Sequence, residues 1–269
     1  MTFKRLTLFA LSSLLLLSGC SEVTTSNTVN NSSSSASTEK TGDYQSLANK
    51  DFENGSSPFI EVNNNQAELD PGTWSNEHIK YSNLDQLNRA GAATAYLSEK
   101  NLGRSESRTE QTWQPTGWHN QPAIINGRRV FPQNRGHLIA YTVTFAFDQD
   151  GTYVPGQLGS LNNPKNLVTQ TEFSNQKTMQ IFEEKVRDSL AQHKQVIYKV
   201  TPIFRGNELM PRGVWSQAIS TDKTLNFNVY IWNVEPGISF DYTSGRGRID
   251  QTVSVHNLYK GNKYTNQRN

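Results

Sequence analysis

Residues 134–137 read Asn134-Arg135-Gly136-His137. An imidazole can take a proton from water near neutral pH, and a guanidinium beside it can hold a phosphate through two parallel hydrogen bonds. A His and an Arg on a tight Gly turn therefore suit attack of water on a phosphodiester. A lone His is more often structural or solvated, so these four residues need support. It comes from Asn175, with Glu183 eight residues on and Arg187 four further. On a helix, at about 100° per residue, the three fall within roughly 120° of one another. An amide oxygen, a carboxylate and a guanidinium can then face one cleft. Hard oxygen ligands suit Mg²⁺, which keeps most of its waters and takes few protein ligands. The plain alternative for Glu183 and Arg187 is a surface i,i+4 ion pair, which contributes little.

These groups need elements to hold them. Residues 171–192 have the strongest helical pattern, with Met179, Phe182, Val186 and Leu190 on one face and Asn175 near the start, where a short polar side chain is favoured. Residues 122–131 predict a hairpin turning at Asn126-Gly127, directly ahead of the His motif. Residues 82–102 predict a second helix, capped by Ser82 or Asp85, with Leu84, Leu87, Gly91 and Ala95 at helical spacing. Segments 194–204 and 224–234 alternate as strands do, and 237–242 is a candidate short strand. Irregular interleaving of helices with antiparallel-looking strands indicates the α+β class.

The rest of the chain sets limits. It has 269 residues, 34% hydrophobic and 19% charged, with a mean hydropathy of −0.67. That is polar, yet far from wholly disordered. Cys20 is the single cysteine, which excludes an intramolecular disulfide, a thiolate zinc cluster and a CxxC redox motif. Residues 1–20 carry Lys4 and Arg5, then an apolar stretch from Leu6 to Leu17, ending in Leu17-Ser18-Gly19-Cys20. This resembles a bacterial lipobox, which implies a signal peptide over 1–19, lipid attachment at Cys20 and anchoring outside the cytoplasm rather than a membrane span. Residues 20–57 are expected to be a Ser/Thr/Asn-rich flexible tether, 58–255 the folded domain and 256–269 a basic tail. Without residues 1–20 the chain has 24 basic against 24 acidic residues, so a nucleic-acid site must be a local patch.

From about Tyr81 to Tyr242 the chain resembles the DNA/RNA non-specific endonucleases with a ββα-metal (His-Me finger) core, and among them the bacterial membrane-attached DNA-entry nucleases. The residues carrying the likeness are Tyr81-Ser82-Asn83-Leu84-Asp85, Arg89-Ala90-Gly91, Pro115-Thr116-Gly117-Trp118, Arg135-Gly136-His137-Leu138-Ile139, Asn163-Pro164-Lys165-Asn166, Gln170-Thr171, Ser174-Asn175-Gln176, Glu183 and Val186-Arg187. The resemblance implies a mixed or antiparallel central sheet flanked by helices. It also implies roles. His137 is the general base that activates water. Arg135 contacts the substrate phosphate. Asn175 ligates a single Mg²⁺, with Mn²⁺ as the alternative. Asn166 lies near the scissile phosphate and supports the site. Glu183 holds metal-bound waters, and Arg187 faces the phosphate. The products would carry a 5′-phosphate and a 3′-hydroxyl. The implied partners are DNA, RNA as a second substrate, and the membrane through the lipid anchor.

The family motif opens with Asp where this chain has Asn134. Asn keeps an acceptor and gains a donor but loses the charge, which puts the rate in question more than the reaction type. The rival reading is a surface lipoprotein that binds DNA or another ligand on a nuclease scaffold without turnover. Other residues get plainer readings. His78 and His256 lie outside the motifs, His119 sits in a loop, and His193 lies near a helix end. Arg104, Arg108, Arg128 and Arg129 are either a phosphate-tracking groove or solvated loop charge. Trp113 and Trp118 are expected to pack as a corner around Pro115-Thr116-Gly117, with base stacking as the alternative.

Overall fold

The computed structural model describes residues 41–125 and 127–256. The expected signal peptide, Cys20, the tether up to residue 40, Asn126 and the tail from 257 lie outside the described residues. Among the described residues no helix is long and apolar enough to cross a membrane.

The fold is α+β, as expected. Six antiparallel strands form the central sheet: β1 (Phe59–Glu61), β2 (His78–Tyr81), β3 (Ala93–Leu97), β8 (Val196–Ile203), β9 (Gly213–Ser220) and β10 (Asn226–Trp232), in the order β1-β10-β9-β8-β3-β2. Three two-stranded ribbons accompany it: β4 (Ala123–Ile125) with β5 (Arg128–Val130), β6 (Gln133–His137) with β7 (Leu167–Thr171), and β11 (Ile238–Asp241) with β12 (Arg246–Ile249). The predicted strands at 194–204, 224–234 and 237–242 appear as β8, β10 and β11. The predicted hairpin appears as β4–β5, with Gly127 at φ +76° in its turn.

β10 shows how alternation builds two cores. Phe227, Val229 and Ile231 point to one side of the sheet, where they join Met179, Phe182, Val186 and Leu190 of the long helix. Tyr230 and Trp232 point to the other, packing with Ile203 and Trp215. Helix α1 (Thr41–Ala48) covers that second face with Leu47 and Ala48, and Phe52 packs beside it. Arg205 secures the end of α1, its Nε donating to the Ala48 carbonyl at 2.7 Å. The segment 41–57 is therefore packed structure rather than tether. Its polar bias conceals a few well-placed apolar residues, enough for one short helical face.

The helix expected over 82–102 does not form. Asp85 does cap, but it closes a turn: its Oδ1 accepts from the backbone N–H groups of Leu87 and Arg89, both at 2.9 Å. Asn88 takes a left-handed conformation at φ 60°, and the chain then extends into β3. Asp side chains that capture nearby N–H groups compete with the helix in this way. The Leu-Leu-Gly-Ala spacing coincides with a turn followed by an alternating strand.

The second predicted helix forms with a changed start. Its backbone is helical from residue 172, passes through a π segment at Ser174–Met179, and continues as α2 (Gln180–Ala191). The wider turn of the π segment means that 100° per residue does not carry across from Asn175 to Glu183.

Candidate active site

The ribbon β6–β7 and the helix behind it form a ββα unit. On β6, Gly136 has no room for a side chain: a Cβ there would lie 2.3 Å from Gln170 Oε1 and 2.7 Å from its Cβ. Glycine lets the two strands close, with Gly136 opposite Val168 and His137 opposite Leu167. Gln133 anchors the start of β6. Its Nε2 donates to the Gly245 carbonyl at 2.6 Å, and its Oε1 accepts from His119 N–H at 2.7 Å.

Asn166 fixes the other end. It is fully buried, its Oδ1 accepts from Ile139 N–H at 2.9 Å, and its Nδ2 donates to the Ile139 carbonyl at 3.0 Å. Both ends of the amide are thus committed to the chain just after His137. Asn166 does not line the cavity; it holds the chain just after His137, an arrangement that can support the site as expected of it.

A cavity of ≈270 Å³ opens over the ribbon, lined by residues that include Asn134, Arg135, His137, Asn175 and Glu183. The helix start does not consume Asn175, because other groups do the capping: Glu235 Oε2 accepts from Phe173 N–H at 2.8 Å and Thr171 Oγ1 from Ser174 N–H at 3.0 Å. The Asn175 amide and the Glu183 carboxylate have no hydrogen bond or close ion pair among the described residues. Arg187 lies elsewhere. It lines an adjoining cavity of ≈510 Å³ with Arg104 and Arg108, and its Nη1 reaches the Thr142 carbonyl at 3.4 Å. Glu183 and Arg108 border both cavities. The three helix residues therefore span two connected cavities rather than one.

Two residues enter the site that their sequence setting concealed. Trp118, expected in a packed corner, lines the cavity, and the Arg135 guanidinium lies 4.7 Å from its ring centre. Trp113 is also outside the core, at 39% exposed. Arg108 comes from a loop 29 residues before His137 and lies 4.9 Å from the Tyr141 ring centre. No local pattern marks it; only the fold brings it in. The remaining histidines stay outside this cavity: His78 stacks on Tyr96 and His193 contacts Glu99.

Electrostatics set the protonation states. Burial, with the Arg108 charge second, pushes the His137 imidazole down to about 4, while backbone acceptors of Ser160 and Leu161 partly oppose this. His137 is therefore neutral at pH 7, and its Nε2 is buried with no partner. Burial pushes Glu183 up to about 7, although Arg108 and Arg187 pull it down. Glu183 has no bonded partner, and the two arginines offset only part of the cost of its burial. A divalent cation would offset more of it. No group of three or more His, Cys, Asp or Glu side chains could hold a metal among the described residues. The donor set of one amide and one carboxylate fits a hard ion that retains its waters, such as Mg²⁺.

The sequence model of the DNA/RNA non-specific endonucleases matches residues 70–221, more than half of the chain. The chain belongs to the DNA/RNA non-specific endonuclease family. Among solved endonucleases, NucA from Streptococcus agalactiae with magnesium bound superposes with a TM-score of 0.62 at 30% identity, covering 74% of this chain and 89% of that one. The Sda1 nuclease with bound zinc shares the fold, with a TM-score of 0.55 at 22% identity, 70% of this chain and 95% of that one. A curated deoxyribonuclease from Streptococcus dysgalactiae subsp. equisimilis is 27% identical over 164 residues, 59% of this chain. The chain spans about half the length of that relative.

Proposed function

We propose that this chain is a metal-dependent, sequence-tolerant endonuclease that hydrolyses phosphodiester bonds of extracellular DNA, with RNA as a second substrate. The observation that carries this is the free Nε2 of a neutral, buried His137, facing a cavity shared with Arg135, Arg108, Asn175 and Glu183.

His137 accepts a proton from the attacking water at Nε2. With backbone acceptors at the ring, the tautomer protonated on Nδ1 leaves Nε2 free for that task. Arg135 and Arg108 bind the phosphate oxygens and offset the charge that builds during attack. The water oxygen bonds to phosphorus, the P–O3′ bond breaks, the leaving O3′ takes a proton from solvent, and the products carry a 5′-phosphate and a 3′-hydroxyl. Asn175 would hold the Mg²⁺ directly and Glu183 would hold its waters. Such an ion supplies positive charge at the phosphate and leaving oxygen. Arg187, in the adjoining cavity, is placed for a neighbouring phosphate. The polar, arginine-bearing lining favours contacts to the backbone over base edges, consistent with tolerance of sequence. The lipobox-like Leu17-Ser18-Gly19-Cys20 supports anchoring at Cys20 on the outer face of a bacterial membrane.

The test is plasmid DNA and RNA incubated with the purified protein in Mg²⁺, in Mn²⁺ and with EDTA, followed by analysis of the new ends. Cleavage that requires the metal and leaves 5′-phosphates is the expected result. A folded protein that cuts neither substrate in either metal would replace this reading with a non-catalytic binding protein.

A further inference from the structure

We propose that a second groove, beside the active cavity, binds an unpaired stretch of the polynucleotide running on from the cleavage point. This rests on the nuclease reading above and adds the form of substrate that the site prefers to hold. The groove, ≈410 Å³, runs between the β4–β5 hairpin and the β11–β12 ribbon. One short segment separates it from the active cavity: Trp118 and Asn120 face the cavity, while His119 and Gln121 face the groove. The 118–121 segment thus borders both spaces.

The charge fits a polyanion. Arg246 and Arg248 line the groove, and no carboxylate does. Arg129 stands opposite Ile124 across the hairpin, so both side chains lie on one face, and Ile124 lines the groove. None of the three arginines forms a salt bridge among the described residues. Asp241 stands opposite Arg246 in the ribbon, but its carboxylate is engaged in the turn, accepting from Thr243 and Ser244, and Asp250 likewise accepts from Thr252. Asp250 still feels the Arg248 charge.

The apolar part fits bases with free faces. In the groove Ile124 is 60% exposed and Ile249 54%; beside it, outside the lining, Phe131 is 50% exposed with the Arg129 guanidinium 5.3 Å from its ring centre. Exposed rings and aliphatic side chains interleaved with arginines make a stacking platform for single strands. A duplex, with its base faces already stacked, gains nothing from them. Gln133 makes the two sites rigid neighbours, since its amide ties the start of β6 to Gly245, the residue before Arg246.

The test reads binding with the His137→Ala protein in EDTA, where cleavage cannot interfere. The probes are a labelled oligothymidylate long enough to span both spaces, a short one that fills only the active cavity, and a blunt duplex. Adding Arg129→Glu and Arg246→Glu, both at exposed positions, is expected to weaken the long single strand about tenfold or more. It should also lower the slope of log affinity against log salt by about 0.7 per lost phosphate contact. Phe131→Ala should weaken the long strand severalfold and leave the duplex unchanged. The short strand should keep its affinity throughout. Long-strand affinity within twofold of the parent would overturn the proposal, as on a surface built for a protein partner. Equal losses on short and long strands would overturn it too. Failure of the nuclease reading would show separately, as intact DNA with the unaltered protein in Mg²⁺.

Discussion

The central sheet and the β6–β7 ribbon are both well buried, but they use their polar groups differently. At the sheet, the buried amides of β10 and its end find partners: Asn228 Oδ1 accepts from Trp215 Nε1 at 2.6 Å, and the Asn233 amide, just past β10, donates to the carbonyls of Thr169 and Pro211, while the hydroxyls of Tyr81, Thr201 and Tyr230 stay unpartnered. In the ribbon, Asn134 Nδ2, Arg135 Nε, His137 Nε2 and Gln170 Oε1 are all buried with no partner. Such atoms cost stability where they serve nothing. What sets the ribbon apart is that three of these residues, Asn134, Arg135 and His137, also line the cavity where substrate would bind. The sheet supplies stability, and the ribbon draws on it.

That division predicts which changes cost folding and which cost chemistry. Phe227 is buried between Tyr198 and Phe182. Phe227→Ala should lower stability by about 3–5 kcal/mol in urea denaturation, with the surviving folded molecules still active at low temperature. Gly136→Ala strikes the ribbon itself, where the Gln170 side chain blocks a Cβ. It should cost about 1–3 kcal/mol through overpacking and also reduce kcat, because His137 is the next residue. Asn166→Ala leaves the Ile139 N–H and carbonyl unpaired, a loss of about 1–3 kcal/mol. Its expected signature is a fall in kcat with KM nearly unchanged. If Asn166→Ala raised KM alone, the residue would touch substrate after all.

The smallest effect concerns pH. Burial pushes Glu235 up to about 8, above its ordinary 4.5, although Phe173 N–H opposes the shift. The folded protein therefore holds this proton more tightly than the unfolded chain. Its contribution is fully present below pH 4.5 and is lost as pH rises towards 8. Melting temperature followed across that window should fall less steeply in Glu235→Gln than in the parent. Identical slopes would show that Glu235 ionises in the fold as freely as outside it.

Two of the six strands of the sheet, β8 and β10, were legible as strand-like runs, and Asn126-Gly127 marked the separate β4–β5 hairpin. The helix over 82–102 failed because Asp85 satisfies backbone N–H groups locally, so a turn defeats a spacing that only resembles a helix. Segment 41–57 was misjudged because three or four apolar residues are hard to see in a polar background. At the site, His137, Arg135, Asn175 and Glu183 were legible from type and order. Arg108 and Trp118 appeared in the sequence only as one of two readings each, since tertiary folding alone brings their loops over the ribbon. The π segment at Ser174–Met179 was not legible either, since no periodicity announces it.

The central claim is that the unpartnered imidazole of His137 is the base. The most direct measurement compares the parent with His137→Ala on supercoiled plasmid in Mg²⁺, with circular dichroism and melting curves run on the same samples. The account predicts a loss of about 10²–10⁴-fold in cleavage rate with the fold intact. Cleavage by a folded His137→Ala protein at the parent's rate would contradict it.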